Sequence, residues 1–289
     1  RDRSVSRGLG DVYKRQLLTL CYTIFMKKKL PGVYETTKKD GSIYYRSSIT
    51  YHQKHISLGS YDTSARAFGA YLEADSLLKD PSLSFKEHSD LRILPFGKWV
   101  SLINFRDNGI YIANPIYLHP RYFEYFLSAH EILKFDIDDL FYYSSHKIMQ
   151  RGRHFFVSEY GMQTNIAGRY GIKNYAVSDR DYRFVNGDCN DFRYENIEIL
   201  NRYHGVREKK EKNTVRYTAR IHINGNYTIG TYDSAIEAAI AYNKAADILH
   251  RSGVRRQFVV NYIEELSPSA YAELYRKLPI SSRIMHYKP

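Results

Sequence analysis

The chain has 289 residues, a net charge of +12, a pI near 9.4, 43% apolar residues and 28 tyrosines. That length calls for two or three compact domains, and the apolar fraction excludes a disordered chain. The basic balance favours a polyanionic partner, nucleic acid ahead of an anionic membrane surface. Two distant cysteines, Cys21 and Cys189, exclude a disulfide framework and a zinc site and fit a reducing, cytoplasmic compartment.

In chain order, residues 1–25 are set aside first. RDRSVSRGLGDVYKRQ reads unlike the rest and resembles translated adapter sequence, which makes Met26 the expected natural start and residues 1–25 non-native read-through. The apolar run Leu17–Phe25 is too short to span a bilayer, and Lys27–Lys29 follows it instead of a small-residue cleavage site. No membrane partner is expected.

Residues 26–80 form the first predicted module. Alternating residues around Tyr45–Tyr51 and His55–Tyr61 predict strands, and Asp62 or Thr63 caps a helix with Ala67, Phe68, Tyr71, Ala74, Asp75 and Leu78 on one face. Residues 81–129 are a Tyr- and Phe-rich connection whose aromatic stripe is core by default. Arg121–Leu133 reads as a helix, and Asp136–Asp139 as a solvated turn or helix cap. Residues 130–202 make a middle core.

Residues 203–264 repeat the first module. Tyr217, Ala219, Ile221 and Ile223 alternate with Thr218, Arg220 and His222, and Asn224-Gly225 signals a two-residue hairpin turn. Ser234 with Glu237 reads as a capping box, followed by Ala235, Ala238, Ala239, Tyr242, Ala245, Ala246 and Leu249 at helical spacing. The two copies match at Gly32/Gly205, Tyr45/Tyr217, Ile49/Ile221, Gly59/Gly230, Asp62/Asp233 and Tyr71/Tyr242, with the extra residue of the first copy assigned to its turn. Residues 265–289 hold a helix capped at Ser267, with Pro268 in its first turn.

In each copy the helix is expected to cover one sheet face and leave the other to solvent. That second face carries Arg207, Thr218, Arg220, His222, Asn226 and Thr228 in the second copy. In the first it carries Tyr34, Arg46, Ser48, Thr50, His55 and Ser57. A polar sheet face needs only water to be stable, so the pattern by itself leaves a ligand open.

The run from Gly205-Val206-Arg207 through Tyr217-x-Ala219-x-Ile221 and Ile229-Gly230-Thr231-Tyr232 to Ala238-Ala239-x-Ala241-Tyr242-x-x-Ala245-Ala246 resembles a known family. This is the DNA-binding domain of plant ethylene-response factors, the Apetala-two fold, which also occurs in phage and bacterial endonucleases. The resemblance implies a sheet lying in the major groove of double-stranded DNA, with Arg207, Arg220, His222, Asn226 and Thr228 on phosphates and base edges. The basic stretch with Lys209, Lys210 and Arg216 is expected on phosphate. Arg and Trp are frequent in the family where Asn226 and Thr228 stand, which implies reduced sequence specificity.

Val185 to Leu200, with Asn186-Gly187-Asp188, Asp191, Arg193, Glu195 and Asn196, resembles the HNH homing-endonuclease motif. Register through the Gly-Asp turn puts Phe184 where that family has its general-base His, and Phe192 where it has a metal-side Asn. Phenylalanine accepts no proton. The fold expected is therefore α+β: two modules, each a three-stranded antiparallel sheet plus helix, flanking a mixed α/β middle region with a degenerate ββα (HNH-like) core. The function expected is non-catalytic DNA binding, as a transcription regulator or mobile-element remnant, with no cofactor, no metal and no small-molecule substrate. The alternatives are a metal-dependent HNH nicking enzyme using His154 or His204 as a displaced base, and a protein-interaction scaffold.

Overall fold

The computed structural model describes residues 30–211 and 214–289, so the expected read-through at 1–25 lies outside the described residues. The fold is mixed α+β, with five small antiparallel sheets and six α-helices among the described residues. None of these helices is long and apolar enough to cross a membrane. Two compact units meet in the chain between Ile148 and Met149.

The first unit opens with β1 (Val33–Thr37), β2 (Ile43–Tyr51) and β3 (Lys54–Tyr61), an antiparallel sheet in the order β1-β2-β3. Helix α1 (Ser64–Lys79) follows, its first turn capped by the Thr63 side chain accepting from the Arg66 amide. Ala67, Ala70, Ala74, Leu77 and Leu78 bury its inner face. On the other side α1 meets α2 (Phe96–Asn108), and Trp99, Leu102, Ile103 and Phe105 join the same apolar cluster as Ile49, Ile56 and Leu58. Trp99 satisfies its indole N–H on the Ser84 carbonyl at 3.0 Å, as a buried tryptophan must.

The predicted helix over 121–133 is instead a hairpin. Strands β4 (Ile116–Leu118), β5 (Tyr122–Phe126) and β6 (Ile132–Asp136) form an antiparallel sheet. Phe123, Tyr125, Leu133 and Phe135 are buried at a spacing of two, which is strand periodicity. The turn comes from Ser128, whose hydroxyl accepts from the His130 and Glu131 amides at 3.2 and 3.1 Å. Ile137–Asp139 is a 3₁₀ turn into the short helix α3 (Leu140–Ser145); of the two expectations the helix cap fits, with Asp139 the N-cap residue, buried and without a side-chain capping bond.

The second unit starts with β7 (Met149–Arg151), β8 (His154–Glu159) and β9 (Met162–Asn165), then pairs β10 (Tyr182–Phe184) with β11 (Ile197–Ile199). The α of the expected ββα core is not formed. Only 3₁₀ turns occur here among the described residues, the one within the motif being Tyr194–Asn196, and β11 leads within six residues to β12.

Strands β12 (Val206–Glu211), β13 (Thr214–His222) and β14 (Asn226–Tyr232) then form a sheet in the order β12-β13-β14, followed by α4 (Ala235–Arg251). Ala238, Ala239, Tyr242, Ala245, Ala246 and Leu249 are buried on it, the face expected from their spacing. Helices α5 (Pro268–Lys277) and α6 (Ser282–Met285) close the unit. Tyr275 donates to Asp247 at 2.7 Å, and Leu278 and Ile284 enter the core beneath α4.

The two sheets share details beyond strand order. Each carries a bulge at the same place: Ser47 pairs with Gly59 but Ser48 with Ser57, and Ala219 pairs with Gly230 but Arg220 with Thr228. Leu58 and Ile229 are the extra residues, and both are buried. The first copy's additional residue is not in its turn. It lengthens the ladder to Tyr51 and Lys54 around a two-residue turn, His52-Gln53, at positive φ (43° and 62°). The second copy uses three residues, Ile223–Gly225, between His222 and Asn226. The capping box at α4 is also shifted. Ser234 accepts from the Glu237 amide, but Glu237 accepts from the Asp233 amide one residue earlier. Ser234→Ala should still destabilise the second unit by about 1 kcal/mol, read as a lower denaturation midpoint at unchanged slope.

Candidate nucleic-acid interface

The helix-free face of β12–β14 is built by strand parity. Val206, Ala219 and Ile221 turn toward α4 and are buried, so their neighbours must turn away. Lateral pairing then sets rows across the face: Lys209 beside Arg216, Arg207 beside Thr218 and Thr231, Arg220 beside Thr228, and His222 beside Asn226. Arg207, Lys209, Arg220, His222, Asn226 and Thr228 are exposed.

Partners separate these cations. Arg216 is tied to Asp233 at 3.1 Å, and His222 Nδ1 lies 3.1 Å from the Asn226 side-chain oxygen. Neither the Arg207 nor the Arg220 guanidinium has a hydrogen-bond or ion-pair partner among the described residues. Lys210 has the parity of Val206, away from this face, and pairs with Glu208 at 3.6 Å. Of the second-copy residues expected on DNA, Lys210 alone is not brought to the common face.

The corresponding face of β1–β3 is poorer in charge. Tyr34 stands at the row position of Arg207, beside Arg46 and Ser60; Ser48 stands at that of Arg220, beside Ser57; Thr50 lies beside His55. Arg46 is engaged, donating to the Tyr44 hydroxyl at 3.0 Å with its guanidinium over that ring. Ser48, expected outward, is buried. Its short side chain sits at the bulge, where its amide bonds to the Gly32 carbonyl at 2.9 Å, and it does not clear the flanking strands.

Beside the second face lies a cleft of about 170 Å³, lined by Tyr175, Arg180, Asp181, His204, Arg207 and Arg220 among others. His204 is fixed by Asn261, which accepts from its amide at 2.7 Å and donates to its carbonyl at 3.0 Å. Its ring packs edge-on against Tyr175 and Tyr242. Burial lowers the His204 pKa; Asp181 opposes this and Arg180 adds to it. Burial also raises the Tyr242 hydroxyl to about 12.

At the HNH-like segment the two positions in question do meet, as an aromatic pair. The Phe184 and Phe192 ring centroids are 5.9 Å apart, edge to face, and Phe155 and Tyr170 also pack on Phe192. The polar residues of the motif hold the turn. Asp191, with no exposed side-chain surface, accepts from Asn186 Nδ2 at 2.9 Å and from two Arg193 nitrogens at 2.9 and 2.6 Å. Asn196 Oδ1 accepts from the Asn186 amide at 2.8 Å, and its Nδ2 donates to the Asp191 carbonyl at 2.8 Å. Burial raises the Asp191 carboxyl, but Arg193 and Asn186 outweigh it and hold it below the usual range. No group of three or more His, Cys, Asp or Glu suited to a metal occurs among the described residues. His154 is exposed at the β7–β8 turn, opposite Arg151.

His204 and Asp191 both contribute to the acid response. A histidine whose folded pKa is depressed stays neutral where the unfolded chain takes a proton, so stability falls as pH drops below 6.5 toward the folded value. A carboxyl held low contributes stability above 3.8 that is lost as pH falls through the folded pKa. Denaturation followed against pH should show both declines. His204→Gln should remove the first and leave the second. Comparison with family models, curated proteins and solved structures returns no match.

Proposed function

We propose that the chain binds double-stranded DNA through the exposed face of β12–β14, with the β1–β3 face a weaker second contact. The observation that carries this reading is the pair of unpartnered guanidiniums, Arg207 and Arg220, on a face with polar rows and no buried apolar seam. Arginines held on a rigid sheet without a carboxylate partner suit phosphates and guanine edges, because the planar fork offers bidentate donors. The net charge of +12 adds long-range attraction. Two faces on one chain raise the effective concentration of the second contact once the first is made.

The reading is non-catalytic. Phe184 and Phe192 fill the positions that the HNH-like resemblance assigns to the base and a metal-side residue, and the motif's Asp191, Arg193 and Asn196 are spent on one another. The motif is then a folded staple ahead of β12.

The test is a salt titration of the full chain on random duplex DNA, with magnesium present and strand integrity followed on a gel. Binding with a log–log slope near −0.9 per phosphate contact, on intact DNA, is expected. Nicking abolished by substituting His154 or His204 would replace this reading with an enzyme. Absence of binding at low salt would leave an interaction scaffold.

A further inference from the structure

The cleft beside the β12–β14 face is walled on one side by residues outside the sheet, on the turn at 175–181. Arg180 is the cation of that wall. Its Nε donates to both Asp181 oxygens at 3.0 Å and one terminal nitrogen also bonds Asp181, which leaves Nη1 without a hydrogen bond among the described residues. Among the described residues Asp181 is the one carboxylate lining the cleft, and it is occupied. Besides Arg180 it accepts from the Val177 amide at 2.9 Å and from Asn201 Nδ2 at 3.3 Å. Its position is further fixed because its own carbonyl accepts the Leu200 and Asn201 amides, both at 2.9 Å.

The cleft is also lined by Arg207 and Arg220, whose guanidiniums have no partner among the described residues, and by His204 and His222. Asp181 offsets the charge of Arg180, whereas Arg207 and Arg220 bring two further positive charges to the lining with no carboxylate of their own among the described residues, which favours an anion there. At about 170 Å³ the space is well under the ~300 Å³ at which pockets for drug-sized ligands begin. It suits a single oxyanion. Phosphate is an oxyanion that matches planar, forked donors, and the one a nucleic-acid backbone supplies.

We propose that this cleft is a phosphate site in which Arg180, positioned by Asp181, completes a clamp with Arg207, Arg220 and His204. It deepens the DNA-binding reading and rests on it only for the source of the phosphate, which is a DNA backbone group or free inorganic phosphate. A guanidinium carries five donors, so Arg207 and Arg220 line the clamp while their other edges remain for bases.

Arg180→Ala and the milder Arg180→Gln in the full chain supply the test, since neither touches the sheet. Thermal melts are run in inorganic phosphate against chloride at matched ionic strength, beside salt-titrated binding to duplex DNA. Wild type is expected to melt higher in phosphate, with the increment lost in both variants. If the occupant is a DNA phosphate, each variant also flattens the log–log salt slope by about 0.9, the loss of one contact, without altering preference among sequences. Loss of the phosphate increment with an unchanged DNA slope assigns the site to free phosphate. The same loss in a chain that binds no DNA sustains the clamp while the DNA reading falls. Variants that keep the wild-type increment and the wild-type slope overturn the proposal.

Discussion

Arg207→Ala and Arg220→Ala are each expected to weaken binding to duplex DNA by about 1–3 kcal/mol, a loss of roughly five- to 150-fold. Both side chains leave the same sheet face, in adjacent rows beside Thr218 and Thr228, and neither is held by another group among the described residues. Removing either therefore breaks no internal ion pair, and the change in affinity reports the DNA contact rather than a collapse of the fold. Arg216→Ala is the contrasting case, because it also releases Asp233. Lys210→Ala is the control on the same strand: its parity and its pairing with Glu208 place it off the face, so binding should stay near wild type. Equal affinities for wild type, Arg207→Ala and Arg220→Ala in a fluorescence-anisotropy titration would remove the β12–β14 face from the DNA interface. A loss with Lys210→Ala as large as with Arg220→Ala would mean that general charge, not this face, drives binding.

Gly205→Ala should be among the most destabilising single-methyl changes in the second unit. Gly205 sits at φ +74°, where a side chain costs roughly 1–3 kcal/mol of backbone strain. An added Cβ would also lie 2.5 Å from the Arg220 carbonyl oxygen and 2.5 Å from the Tyr242 ring. The carbonyl cannot retreat easily, since the Arg220 amide is bonded to the Gly205 carbonyl at 2.7 Å. Strain and overlap together put the cost at about 3 kcal/mol or more. Gly32 is in the same situation in the first unit, with φ +71° and clashes on Tyr71 and the Ser48 carbonyl, so Gly32→Ala should behave alike. Gly225→Ala, with nothing within 4 Å of the new atom and an ordinary φ, is the neutral comparison. Urea denaturation of the three variants decides it: a Gly205→Ala midpoint equal to that of Gly225→Ala would contradict the close approach of turn, strand and helix at Gly205.

Much of both sheet-and-helix halves was legible in the residues. Alternation from Tyr217 to Ile223 marks a strand with one wet face because a pleated chain turns successive side chains to opposite sides. Ser234 and Thr63 announce helix starts because their oxygens can satisfy orphan amides. Alanines at 238, 239, 245 and 246 announce a helix lying close on a sheet because nothing larger fits between them. Local chemistry misled where two periods compete. Arg121–Leu133 carries apolar residues that satisfy a helix count, and only the capture of two amides by Ser128 turns the chain back into a hairpin.

What the sequence determined by itself, then, is the repeat and its outward rows, since each depends on neighbours a few residues apart. Tertiary structure alone decided that Ser48 is buried, that Lys210 faces away with Glu208, and that Phe184 meets Phe192. It alone built the cleft. Asn201 reaches Asp181 across 20 residues, and Asn261 clamps His204 across 57, so Arg180 comes to stand beside Arg207 and Arg220. No periodicity encodes such pairs. They form because buried amides and carbonyls must find partners once the core has closed, and the nearest partners in space are distant in the chain.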